Sequence, residues 1–293
     1  MYECQSTDIE RTVRSTQHSL TNYQFRNNGF EVLKVLVPKA DHLTLITTLQ
    51  LYLRFEDDYK HAVFLLESTP SLVSLDIEAL MDRPDAIFPS TPLAGGPRRL
   101  KSLRIECFSF ESGGTVFFDF VKFEDLEELQ LFFCRDYGNP LLELTHFPLK
   151  LKSFCIDEQD TRDVQFDDNT NIFLRSLKSL ERVSLALDPD GGYPEVPLDW
   201  RALETHASTL KYLRVETQAL NSLFPTKDCI QAFERLCDKA ANLEQLAISG
   251  LSRYGGYCDD PDGKLGLPHF LVCPSRKRSY RNHTLTCQSG NPR

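Results

Sequence analysis

A six-residue pattern, apolar-x-x-apolar-x-apolar, returns eight times along the chain and constrains its fold more than any other feature. It reads Ile46-Leu49-Leu51, Leu72-Leu75-Ile77, Leu100-Leu103-Ile105 and Leu126-Leu129-Leu131, then Leu151-Phe154-Ile156, Leu180-Val183-Leu185, Leu210-Leu213-Val215 and Leu243-Leu246-Ile248. Successive starts are 26, 28, 26, 25, 29, 30 and 33 residues apart. Periods of this length mark arrays in which each repeat is one small supersecondary unit stacked on its neighbours. An earlier trio, Phe30-Leu33-Val35, reads as a degenerate first strand or as part of an N-terminal cap.

An ordinary α/β domain of alternating strands and helices would also give a period near 30. Its strands, covered on both faces, would be continuous apolar runs. Here the residue between the second and third apolar positions is usually polar, as at Gln50, Asp76, Arg104, Gln130, Ser184 and Arg214. That alternation predicts strands with one dry and one wet face. Between the strands, Tyr59, Val63 and Leu66 fall on one helical stripe, with Asp57 or Asp58 available as its N-cap. Trp200, Leu203 and Ala207 repeat the stripe after Asp199, and Ile230, Phe233, Cys237 and Ala240 after Asp228. Each unit is therefore strand, loop, helix, and none can bury its apolar face alone.

Over roughly residues 43 to 251 the hexamers resemble the leucine-rich-repeat superfamily. The fullest match to the longer consensus is Leu126-Glu-Glu-Leu129-Gln-Leu131-Phe-Phe-Cys134; other repeats carry Leu80, Phe108, Gln159, Asp188, Gln218 or Leu251 at the ninth position. Units of this length look like the ribonuclease-inhibitor-like subclass. Phrases such as Leu177-Lys-Ser-Leu180-Glu-Arg-Val183 and His206-Ala-Ser-Thr-Leu210-Lys-Tyr-Leu213 are similar to fungal F-box and leucine-rich-repeat proteins. The resemblance implies an α/β horseshoe, with a parallel sheet on the concave side and helices on the convex side. It also implies a substrate-recognition role in ubiquitin ligation. Residues 1 to 45 contain no Leu-Pro-x-Glu opening of an F-box. The expected division is an N-terminal segment, 1–42, acting as cap or degenerate repeat, then about eight repeats over 43–251, and an irregular, disordered tail over 252–293.

Composition narrows the class of partner. A net charge of -9 argues against nucleic acid, since phosphate binding needs clustered Lys and Arg. Residues 1 to 14 lack the basic-then-apolar order of a secretory signal, and no apolar run is long enough to span a membrane. The nine Cys are odd in number and scattered through apolar segments, as at Cys107, Cys134, Cys155, Cys229 and Cys237. That suits reduced thiols in the cytosol or nucleus. The sequon at Asn282-His283-Thr284 reads as accidental in that setting.

Sequence motifs for chemistry are weak. No Gly-x-Ser-x-Gly elbow occurs, and Gly263-Lys264 lacks the glycine spacing and following Ser or Thr of a phosphate loop. Asp188-Pro-Asp190-Gly191-Gly192 and Asp259-Asp260-Pro-Asp262-Gly263 do not continue into a calcium loop and read as turns. Cys258, His269, Cys273, His283 and Cys287 in the tail are zinc-type residues without a Cys-x-x-Cys knuckle. Basic residues Arg276-Lys277-Arg278 and Arg281 read as solvated tail rather than a nuclear signal. His146 and His206, just before strands, read as surface residues. Turn-rich segments Asp82–Arg99, Asp157–Asn171 and Asp188–Leu198 each follow a strand and should share one rim of the sheet. The second is acidic, which would suit a basic partner at that rim, although such a run usually only solubilises a loop.

The expectation is therefore a non-enzymatic protein-binding scaffold, monomeric on its own, with no cofactor and no metal. Its binding residues should lie on the wet strand faces: Tyr52, Asp76, Glu78, Arg104, Glu106, Phe132, Asp157, Arg214 and Glu216, with Gln50 and Gln130 among them. Carboxylates outnumber Arg in this set, which favours a protein partner with a basic segment. The rival readings are an enzyme whose site is assembled by the fold, and an incomplete gene product.

Overall fold

The computed structural model describes residues 22–25, 43–53, 56–79, 93, 96–110, 120–158, 167–187, 198–217 and 226–250. These form one open, all-parallel sheet of nine strands in sequential order, with helices against one face. The strands are β1 (Asn22–Phe25), β2 (Thr48–Leu53), β3 (Ser74–Ala79), β4 (Ser102–Glu106) and β5 (Glu128–Phe132), then β6 (Ser153–Asp157), β7 (Arg182–Leu187), β8 (Tyr212–Thr217) and β9 (Gln245–Gly250). Between them lie α1 (Glu56–Ser68), a 3-10 turn (Phe123–Asp125), α2 (Gly138–Leu144), α3 (Asp168–Ser176), α4 (Trp200–Glu204) and α5 (Lys227–Lys239). A doubly wound sheet would reverse its strand order to place helices on both faces. No reversal occurs in this sheet, so the architecture is solenoid-like.

Side-chain alternation produces the layering. In β2, β3, β4, β5 and β6 every second residue is buried. Leu49, Leu75, Leu103, Leu129, Phe154, Val183, Leu213 and Leu246 pair strand by strand into one continuous apolar row, with a second row two residues later. Ala62, Leu65 and Leu66 of α1, Phe173 and Leu174 of α3, Trp200 of α4 and Leu236 of α5 complete the same core. Burial of this kind contributes about 25 cal/mol per Å² of apolar area and supplies most of the driving force.

Strands β3 to β9 also start the same way. The carbonyl of Lys101 accepts from both Glu127 and Glu128 N–H, that of Glu127 from Lys152 and Ser153, and that of Lys152 from Glu181 and Arg182. Glu181 and Lys211 continue the ladder. The side chains of Lys101, Glu127, Lys152, Glu181, Lys211 and Glu244 alternate in sign along it. Glu127 lies 3.4 Å from Lys101 and 2.7 Å from Lys152, and Lys211 lies 2.6 Å from Glu181. Hydrogen bonds from their lysines hold the Glu127 and Glu181 carboxyls below their ordinary range. Alternating charge favours one stacking register, because a one-repeat slip would face like against like.

Several local expectations change in three dimensions. The first strand is Asn22–Phe25, paired with β2, and lies within the segment set apart as 1–42; Phe30, Leu33 and Val35 lie outside the described residues. Helix α1 starts at Glu56, so Asp57 and Asp58 lie within its first turn rather than ahead of it. Asp199 does cap α4, accepting from Arg201 N–H at 3.0 Å. For α5 the cap is Thr226, two residues ahead of Asp228, because the helix begins a residue before that aspartate. Within α5 the innermost residues are Ala232 and Leu236, followed by the buried C-cap Ala240, while Phe233 and Cys237 pack from the flank.

His206 is the clearest correction. It is 1% exposed and belongs to the polar seams that tie repeats together, not to the surface. Its Nδ1 accepts from Leu180 N–H at 3.5 Å, which leaves Nε2–H to donate to Leu174 O at 2.8 Å. Asn171 Oδ1 likewise accepts from Asp199 N–H at 2.9 Å, and Thr209 Oγ1 donates to Leu180 O at 2.7 Å. These groups satisfy backbone atoms at the repeat boundaries that a parallel sheet cannot reach.

Candidate binding face

The face of the sheet away from the helices carries three rows of side chains, one from each outward position. The middle row runs Gln50, Asp76, Arg104, Gln130, Cys155, Ser184, Arg214 and Ala247 from β2 to β9. Toward the strand ends the next row runs Tyr52, Glu78, Glu106, Phe132, Asp157, Ala186 and Glu216 from β2 to β8. All nine expected partner-binding residues fall on these two rows. Neighbouring strands are about 4.8 Å apart, so the stretch from Tyr52 to Phe132 is about 14 Å long.

The end row holds Glu78, Glu106, Asp157 and Glu216 and no cation, whereas Arg104 and Arg214 lie in the middle row. Each arginine reaches two residues along its own strand to a glutamate. Arg104 Nη2 donates to Glu106 Oε2 at 2.5 Å, and Arg214 Nη2 to Glu216 Oε2 at 2.7 Å. Arg104 Nε also lies 3.7 Å from Asp76 Oδ1, and its guanidinium carbon sits 4.4 Å from the centre of the Phe132 ring. Burial raises the Asp76 carboxyl above its ordinary value, and Glu106 and Glu78 push the same way against the pull of Arg104. The face therefore concentrates more negative charge than it neutralises.

Some residues of this face escaped the reading of the sequence. Arg182 lies over the Tyr212 ring at 5.2 Å, and Tyr212 donates to Glu244 at 2.8 Å. Both belong to the first outward row, together with Glu128, which accepts from Gln130 and Ser102. The signal was available one residue ahead of the second apolar position of each hexamer, since that residue also points outward. Ala186 departs from the alternation: it is an outward position yet is buried.

Part of the acidic segment is structural. Glu158 is buried and accepts from the buried Tyr137 hydroxyl. Asp167 caps α3, accepting from Thr170 N–H at 2.9 Å. Residues 159–166 lie outside the described residues, as do most of the other two turn-rich segments and the whole of 251–293 with its Cys and His. His146, by contrast, is exposed. Burial pushes the Cys107 thiol up to about 11 and raises that of Cys155, so both stay protonated near neutral pH. Among the described residues no three His, Cys, Asp or Glu side chains are grouped to hold a metal ion, and no helix is long and apolar enough to cross a membrane. Cys134, at the ninth consensus position, is buried, with Sγ 3.4 Å from the Ile105 and Phe132 carbonyl oxygens.

No protein-family model matches the chain, and a search of curated proteins finds no significant relative.

Proposed function

We propose that the chain is a protein-binding module of the leucine-rich-repeat type, gripping a partner with a basic segment on the helix-free face of its sheet. The observation that carries this reading is the charged and aromatic ladder from Tyr52 to Glu216, laid out at fixed spacing by the strand register. Aromatic and Arg residues amid charges are the usual material of interface anchors, and an excess of carboxylates selects a cationic partner. The horseshoe form, with this face concave, follows from the sequence resemblance and agrees with the sequential parallel sheet. The more specific role, substrate recognition for a ubiquitin ligase in the cytosol or nucleus, rests on the resemblance alone.

The test compares proteins captured from a cell extract by the wild-type chain, by Glu78→Lys/Phe132→Ala, and by a helix-side control, Ile172→Ala/Lys239→Ala. A partner that the face variant loses and the control retains supports the reading. A partner lost only by the control would overturn it. Reconstituted ubiquitin transfer to that partner, dependent on this chain, tests the ligase role.

A further inference from the structure

The wet face already holds a guanidinium, and it is the chain's own. Arg104 lies between Glu106, which accepts its Nη2–H at 2.5 Å, and Asp76, whose Oδ1 is 3.7 Å from Nε. Its guanidinium carbon stands 4.4 Å from the centre of the Phe132 ring. Two carboxylates and an aromatic face are the groups that recognise a planar, delocalised cation.

The fit is incomplete in ways that matter. Arg104 Nε is shut off from solvent and has no hydrogen-bond partner, because Asp76 is too distant. Three carboxylates, Asp76, Glu78 and Glu106, act electrostatically on this single cation. Glu78 has no hydrogen bond or ion pair among the described residues. The Arg104 side chain is 39% exposed, so its guanidinium can swing outward without opening the core.

We propose that Asp76, Glu106 and Phe132 form a recognition site for an arginine side chain of the partner, occupied at rest by Arg104 as an internal stand-in. This rests on the reading of the face as the docking surface and narrows the basic segment to an arginine anchor. The partner's arginine takes the place over Phe132, and Arg104 turns toward Glu78, the neighbouring carboxylate one strand away. Lysine, a compact charge without a flat face, satisfies the site poorly.

Removing the stand-in exposes the site to a small probe. The tripeptide acetyl-Gly-Arg-Gly-amide is titrated by calorimetry against the wild-type chain and Arg104→Ala. Arg104→Gln serves as a second variant, and circular dichroism checks that each is folded. We expect binding to the Arg104 variants at least tenfold tighter than to wild type, and at least fivefold tighter than acetyl-Gly-Lys-Gly-amide. Adding Glu106→Gln or Phe132→Leu to Arg104→Gln should abolish that gain. Equal affinity for the two peptides, no gain in either folded Arg104 variant, or a gain indifferent to Glu106 and Phe132 would overturn the proposal. Because no natural partner enters this assay, its failure would leave the docking face to be judged by the capture experiment.

Discussion

Leu129 and Gln130 are adjacent, yet one is 3% exposed and the other stands on the wet face. Leu129→Ala should lower unfolding free energy by about 2–5 kcal/mol, the range for a buried leucine, while Gln130→Ala should cost little. Urea titration of the two variants measures the difference, and equal small losses would contradict the alternation. His206 makes a residue-scale prediction with a sign. Burial lowers its folded pKa below 6.5, although the bond to Leu174 pulls the other way. The unfolded chain therefore binds the proton more readily. Stability from this group is complete above about pH 6.5 and is lost as the pH falls toward the lower folded value. Melting temperature should drop from pH 7.5 to 5.5, and the drop should shrink in His206→Gln, which cannot titrate. An unchanged slope in that variant would mean that other groups set it. Gly138 is equally constrained, because a Cβ there would collide with the Asp167 carboxylate. Gly138→Ala must displace the α3 cap, at a cost of about 1 kcal/mol or more, readable in the same titration.

The ends of helices decide how the elements join. Helix α1 has no basic residue in its last turn; Thr69 Oγ1 donates to Leu65 O at 2.8 Å, and the next two carbonyls are satisfied from the following repeat. Buried Arg98 donates Nε–H to Leu66 O at 2.6 Å and Nη2–H to Glu67 O at 3.1 Å. Arg98→Met keeps much of the stem packing but removes both charge-assisted bonds to α1 and a third, from Nη1–H to Gly96 O. It should destabilise by about 2–3 kcal/mol, with early loss of amide-exchange protection in α1. Protection lost uniformly through the chain would instead place Arg98 in the global folding unit. Nothing local to α1 announces this cap, which lies some thirty residues downstream across a segment with five prolines. The caps of α3, α4 and α5 are local, and of these Asp199 was legible from the start while Thr226 was obscured by the nearby Asp228.

At the scale of the molecule, stacking turns short-range patterns into long ladders. If the face is the docking surface, Phe132→Ala should weaken partner binding by more than about 1 kcal/mol, as loss of an aromatic anchor does. Glu78→Lys should chiefly slow association, by an amount that shrinks as salt rises. Surface plasmon resonance at two ionic strengths separates these effects, and salt-independent losses at Glu78 would deny it a steering role.

Much of this was written in one dimension. A period near 28 with alternating apolar positions dictates a parallel array with one dry and one wet face, because strand side chains alternate whatever their neighbours are. The ladder residues from Tyr52 to Glu216 followed from that rule alone. Contacts between repeats did not follow, since they join residues 25 to 35 positions apart whose meeting depends on register and loop length. Only the folded chain brings Arg104 over Phe132, buries His206 against Leu174 and sends Arg98 to cap α1. Periodicity is a property of the backbone and is local, whereas the pairing of polar groups is decided when one repeat closes on the next.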